Sequence, residues 1–252
     1  MAFLISAIKI IFLLGFLILI HEGGHFLVAK LCKIRVNEFS IGFGPKIYSK
    51  QGKETKYELR LLPFGGFVNL EGEEEHSEKE GSFSKASISK RFAIIVAGAT
   101  INIIFGLIAY IVLITIRYCE VMDADILQGI SYAFSNTINL ICAIFDGIKQ
   151  LFSGNISADD MMGPVGISQM VTKTTGIFQF IYLLAIISIS LGITNLLPFV
   201  PLDGGKALLL IIEAIRKKPL KQETELKLQS IGFFVLIVFS VFIAYNDVLR
   251  II

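Results

Sequence analysis

The chain has 252 residues, of which 54% are hydrophobic and 17% charged, with a mean hydropathy of +0.72. That apolar share excludes a disordered chain and an ordinary soluble domain, and an integral membrane protein is expected. The net charge of +2 says little by itself, no nucleic-acid partner is expected, and three cysteines without paired spacing (Cys32, Cys119, Cys142) set up neither a disulfide framework nor a cysteine zinc site.

The first predicted element is an apolar run from Phe3, interrupted only by Lys9, which is expected to snorkel toward the nearer surface. The run is too long for a cleaved leader and lacks a small-residue cleavage site. It ends in His21-Glu22-Gly23-Gly24-His25, and the helical span is read as reaching about residue 31. The segment 36–90 is polar. Lys56 to Leu61 alternates as a half-buried strand does, and Lys46 to Ser49 before Gln51-Gly52 predicts a hairpin. Leu62 to Val68 mixes apolar residues with Pro63, Gly65 and Gly66. It suits either backbone dipping into a protein-lined cavity or a surface turn. Glu71 to Glu80, which contains His76, reads as a solvated loop. Further spans are predicted at 92–116, 177–199 and 228–248, and 130–152 reads as an amphipathic helix on the outer side. The expected fold is thus a single all-α polytopic membrane domain over 1–252, with about four transmembrane helices, a small cytoplasmic β-hairpin or membrane-dipping loop, and one amphipathic helix. Counting Lys30 at the end of the first span, twelve Lys and Arg lie from there to the second span, six between the last two, and three in the middle connection. The positive-inside rule then puts both termini outside and the His motif toward the cytoplasmic side.

The His motif carries the chemistry. Two of the chain's three histidines stand four apart and share one helical face, with Glu22 beside them to act on a water that a metal activates. A catalytic zinc takes three protein ligands and keeps one position open. The third candidate is Asp203, in Asn195-Leu196-Leu197-Pro198-Phe199-Val200-Pro201-Leu202-Asp203-Gly204-Gly205, where the prolines end the third span and the glycines allow a tight turn. The charge pattern puts this turn on the same side as the His motif. On a soluble helix such a motif is often just two surface histidines. At a membrane boundary the cost of an Asp, about 2.5 to 3.5 kcal/mol near a helix centre, favours function. Asn195 either caps the broken span or holds a substrate carbonyl. Asn102 reads first as packing glue. His76 is not expected as a fourth ligand, since the open position is needed for water.

These motifs resemble the site-2 protease family of intramembrane zinc proteases, over nearly the whole chain. Phe39-Ser40-Ile41-Gly42-Phe43-Gly44-Pro45, Leu62 to Val68, and Gly163-Pro164-Val165-Gly166-Ile167 are similar to the bacterial regulator-of-sigma-factor branch. The resemblance implies Zn2+ held by His21, His25 and Asp203, with Glu22 as general base and Asn195 beside the scissile peptide. It also implies that the Leu62 to Val68 loop (Gly65, Gly66, Phe67) meets the substrate as a strand, and Asn102 is carried as a further substrate contact. The expected partners are the lipid bilayer and a transmembrane-helix substrate, anti-sigma-factor-like or signal-peptide-like, cut in regulated proteolysis or remnant clearance at the cell membrane. The chain departs from that branch twice. Only about a dozen residues, Arg117 to Gln128, stand where PDZ domains are usual, and Ala99 replaces the proline of Ala-Gly-Pro-x-x-Asn. The rivals are weaker: three histidines are too few for a di-iron oxidase, a metal transporter needs ligands along several spans, and a silent helix-binding homologue would have lost Glu22 or a ligand.

Overall fold

The computed structural model describes residues 2–73, 77–154 and 162–250, without the side chains of residues 2, 3, 63 and 64. In chain order the elements are α1 (Ala2–Leu31), β1 (Val36–Gln51), β2 (Lys56–Leu70), α2 (Ile88–Met122), α3 (Ile126–Ser153), α4 (Pro164–Lys173), α5 (Ile177–Asn195), α6 (Asp203–Arg216) and α7 (Gln222–Leu249). Helices α1, α2, α5 and α7 are long and apolar enough to cross a membrane. Their boundaries differ from expectation where local chemistry decides. Helix α2 has 35 residues, about 52 Å at 1.5 Å per residue. Helix α5 stops at Asn195, not 199, because Pro198 cannot continue it. Helix α3 starts four residues before the predicted 130, because the Asp125 carboxylate accepts from the Gln128 N–H and caps it.

The chain forms two compact units, Met1–Lys9 with Ile104–Ser190 and Phe233–Ile252, and Ile10–Ile103 with Leu191–Gly232. In the first unit, Gly106 of α2 lies against Ala185 and Ile189 of α5, and Gly129 of α3 lies against Thr115 and Cys119 of α2. Small residues at these points let helix backbones approach closely. The Lys9 ammonium donates to the Thr174 carbonyl at 2.7 Å, just past the end of α4. A lysine partly buried among helices satisfies its charge on the nearest free carbonyl, here one freed by the end of a helix. Helix α4, absent from the sequence reading, opens with Pro164 and is capped by Asp247 of α7, which accepts from the Gly163 and Gly166 N–H groups at 3.0 and 2.8 Å.

In the second unit, β1 and β2 pair antiparallel and are longer than the small hairpin expected. The chain reverses at Gly52 to Thr55, and Lys50 and Gln51 sit opposite Tyr57 and Lys56. Glu38 to Ile41 face Lys56 to Leu59 on one side and Asn69 to Gly66 on the other. The Gly66–Leu70 run therefore forms an edge, paired on one side only among the described residues. The sheet is seated on α1 by Phe26, whose ring meets Phe39 and Tyr57 at centroid distances of 5.2 and 6.1 Å. Below it Ala29, Ile34, Val36, Leu70 and Ile94 form a buried cluster, with Cys32 packed against them as a small hydrophobe. Glu58 is buried at the sheet's centre. Burial pushes its carboxyl up, but Lys46 and Lys56, with ammonium groups 2.6 and 2.7 Å away, prevail and hold it at about 2. A depressed carboxylate stabilises the sheet at pH values above 4.5, and that contribution fades as pH falls from there toward 2.

Candidate active site

Helix α1 puts His21 and His25 on one face, and the crossing of α2 holds them there. Gly98 of α2 lies against His25 and the His21 carbonyl, and Gly24 lies against Ala97 and Gly98, so the two helices touch backbone to backbone. The His25 Nδ1 is 2.7 Å from the Ile94 carbonyl. A carbonyl only accepts, so Nδ1 carries the proton and the Nε2 lone pair is left for a metal ion. The Asn102 amide, fully buried, lies 3.5 Å from the His21 Nδ1.

Asp203 approaches from the other side. It opens α6, and the Asn195-to-Leu202 connection brings it back to α1. Gly204 and Gly205 do not make the tight turn read from the sequence. They lie in the first turn of α6, where a Cβ on either would strike the Leu196–Val200 backbone. Their missing side chains serve close packing rather than a reversal. Gly232 of α7 presses on Val200 in the same way, bracing the connection. An ion pair between Arg91 of α2 and Glu213 ties down the far end of α6.

The result is a convergence of three donor atoms within 4.8 Å of one another, from His21, His25 and Asp203. The Asp203 Oδ2 is 3.2 Å from the His21 Nε2 and 3.5 Å from the His25 Nε2, and the two Nε2 atoms are 3.3 Å apart. Asp203 Oδ2 is buried without a well-formed hydrogen bond. Two imidazole nitrogens and a carboxylate with one buried oxygen left over fit a Zn2+ ion, whose ligands are of these types. Glu22 is outside the triad but lines the same cavity of about 210 Å³.

The profile of peptidase family M50 matches residues 9–239. The chain belongs to that family, the site-2 proteases. Regulator of sigma-W protease RasP of Bacillus subtilis is 24% identical across 98% of this chain and 99% of its own length. Zinc metalloprotease RasP of Bacillus licheniformis is 24% identical across 97% and 99%. A provisionally named zinc metalloprotease of Clostridium acetobutylicum is 26% identical across 93% and 94%. The two RasP alignments run over 418 and 417 positions, more than the 252 residues here, so both proteins carry insertions that this M50 chain lacks. The chain is accordingly a zinc metalloprotease, and the family together with the four apolar helices among the described residues points to a multi-pass membrane protein.

Of the residues singled out in the sequence, His21, Glu22, His25, Asp203, Gly66 and Phe67 line one cavity. Gly66 touches the site directly: a Cβ there would lie 3.0 Å from the Glu22 Cγ and 2.8 Å from the Ser40 carbonyl. The Phe67 ring is held by the Arg60 guanidinium, 5.2 Å from its centroid. Gly65, at φ +111°, packs on Phe43 instead, in a left-handed region that suits glycine. Asn102 stands behind His21, and Asn195 ends α5; neither lines the cavity. His76 lies outside the described residues. Sequence reasoning missed Glu73, Phe83, Ile94, Ile95 and Lys206, all cavity residues. Lys206 alone left a signal, since it stands one helical turn beyond Asp203 once α6 is recognised as beginning there.

Proposed function

We propose that this chain is an intramembrane zinc endopeptidase that cuts within or near the transmembrane helix of a membrane-anchored substrate. The observation that carries the reading is the edge run Gly66–Leu70, which begins against Glu22. A helix hides its amides and carbonyls in internal bonds, so attack requires local unwinding. Pairing the freed strand with an open sheet edge satisfies those groups and brings a peptide bond to Glu22. An anti-sigma-factor-like or signal-peptide-like segment has the required form.

In this mechanism His21, His25 and Asp203 hold the zinc. When bound it supplies Lewis acidity, polarising a carbonyl and lowering the pKa of a water to about 7. Glu22 takes the water's proton and delivers it to the leaving amine. The Ile94 carbonyl fixes the His25 tautomer. Asn102 does the same for His21 with its amide oxygen turned to accept from Nδ1. Asn102→Ala is expected to weaken zinc affinity by about 10- to 100-fold, measured by competition with a chelator. Unchanged affinity would return Asn102 to a packing role. Asn195 is assigned to the substrate backbone beside the scissile bond, with Gly65 shaping the turn that leads into the edge.

The test of the reading is a matched panel of single-span substrates cleaved in bilayers. An all-Leu span is expected to resist, and one central Gly, Pro or Asn to restore cleavage, because each weakens the local helix. Equal rates across the panel would remove the unwinding step. The absent insertions are assigned to the PDZ domains of the branch, so a folded outer domain on the substrate should slow cleavage only mildly. Both termini are assigned to the outside, from the Lys and Arg asymmetry. A single cysteine at position 53 or 218, in a chain whose native cysteines are replaced, should react with an impermeant reagent only after permeabilisation. Labelling of position 53 in intact cells would reverse the orientation.

A further inference from the structure

The zinc cavity has a rim with its own charges. Among its lining residues, Glu22, Glu73 and Asp203 are acidic, and Lys206 is the one amine. The Lys206 Nζ stands 3.6 Å from the Glu73 Oε1, longer than a well-formed charge-assisted hydrogen bond, and both side chains are about one-third exposed. Such a pair is weak and easily exchanged.

Glu73, by contrast, stands on a firm base. The turn after β2 is closed by the Glu73 N–H on the Leu70 carbonyl, and Glu71 is bonded to the Arg35 carbonyl and the Phe83 N–H through its backbone. The Glu71 carboxylate takes bonds from Ser77 at 2.7 Å, Lys79 at 3.1 Å and Asn37 at 3.2 Å, which together hold its carboxyl at about 2. Glu73 therefore begins where the Gly66–Leu70 edge ends, on a fixed turn. Lys206 faces it from α6, one turn past Asp203.

We propose that Lys206 is a specificity-determining residue that receives an acidic side chain of the substrate next to the scissile bond, with Glu73 occupying its place until the substrate arrives. The inference rests on the peptidase reading of the same cavity. A substrate strand laid along Gly66–Leu70 leads its next residues to this pair. The Glu73 carboxylate marks the kind of group the ammonium accepts, and the loose contact lets a better-placed carboxylate displace it. Lys206 has three donors on a flexible stem, which suits a side chain arriving from a mobile strand. A substrate lysine at that position meets like charge and is disfavoured.

The experiment uses zinc-loaded full-length protein and a cleavable span in which each of four positions on either side of the scissile bond is changed in turn to Glu, Gln or Lys. At one position the wild type is expected to prefer Glu over Lys by about three- to tenfold, with Gln between. Lys206→Met should bring that ratio close to one while zinc content is retained, and Lys206→Arg should keep it. Glu73→Gln should raise cleavage of the Glu substrate relative to Gln, because the competitor is gone. Indifference to charge at every position in the wild type would overturn the proposal, as would a preference that survives Lys206→Met or a loss of zinc in that variant. If the zinc-loaded wild type cuts the Gln substrates without any charge preference, the peptidase reading stands and the subsite falls. If it cuts none of them, both fall.

Discussion

Replacing Glu22 with Gln is expected to slow cleavage by about 10²- to 10⁴-fold, the usual contribution of a positioned general base, without changing the zinc content of the purified protein. The amide keeps the shape of the carboxylate but cannot accept and carry a proton at neutral pH. Glu22 is not one of the three converging donor residues, so the ion has no reason to leave. His21→Ala, His25→Ala and Asp203→Ala are expected to show the reverse order of effects, losing zinc first and cleavage as a consequence. Each removes one of the three converging donors, and in each case the remaining two stand alone beside a buried gap. Metal analysis by mass spectrometry, run beside cleavage of a single-span substrate, separates the two classes. Full zinc occupancy in Asp203→Ala would strike it from the ligand set, and zinc loss in Glu22→Gln would add Glu22 to it.

The division between what could be read from the chain and what could not follows the range of the interactions. The His21–His25 pair is legible because a single helix sets its geometry, and the long apolar helices α1, α2, α5 and α7 are legible because each carries its own unbroken apolar run. The hairpin was visible in the alternation of Lys56 to Leu61, but its extent was not. Glycines at 42, 44, 65 and 66 look like strand breakers, yet they sit inside two strands of 16 and 15 residues. Asp203 was legible as a carboxylate stranded beside two prolines. Its helix was not, because two glycines in sequence suggest a turn. Only the neighbouring Leu196–Val200 backbone explains why bare residues are needed there. The same limit hid Lys206 and Glu73, which lie 133 positions apart and meet only once α6 and the turn after β2 share a cavity. The partner of Lys9 was hidden for a related reason: the Thr174 carbonyl that engages it belongs to a helix end 165 residues away.

Gly98→Ala is expected to release zinc and abolish cleavage although Gly98 is neither a ligand nor a cavity residue. A Cβ at this position would overlap the His25 Nε2 and stand 2.8 Å from the His21 carbonyl, so either the His25 ring turns or α2 withdraws. Turning the ring breaks its bond to the Ile94 carbonyl, and withdrawing α2 removes that carbonyl altogether. Both outcomes scatter the three donors, and overpacking of this kind typically costs about 1–3 kcal/mol in stability as well. Gly24→Ala should behave similarly, since its Cβ would lie 2.8 Å from the Ala97 carbonyl and 2.9 Å from the Gly98 Cα, both backbone atoms that cannot rotate away. Gly23 and Gly15 supply the contrast on the same helix, because a Cβ at either meets nothing within 4 Å. Alanine there should keep the zinc and stabilise α1 by about 0.5–1 kcal/mol, the helical cost of glycine. Zinc content and thermal midpoints of the four single variants in detergent test the pattern. Retained zinc in Gly98→Ala, or equal losses at all four positions, would show that the backbone contact between α1 and α2 does not set the metal geometry.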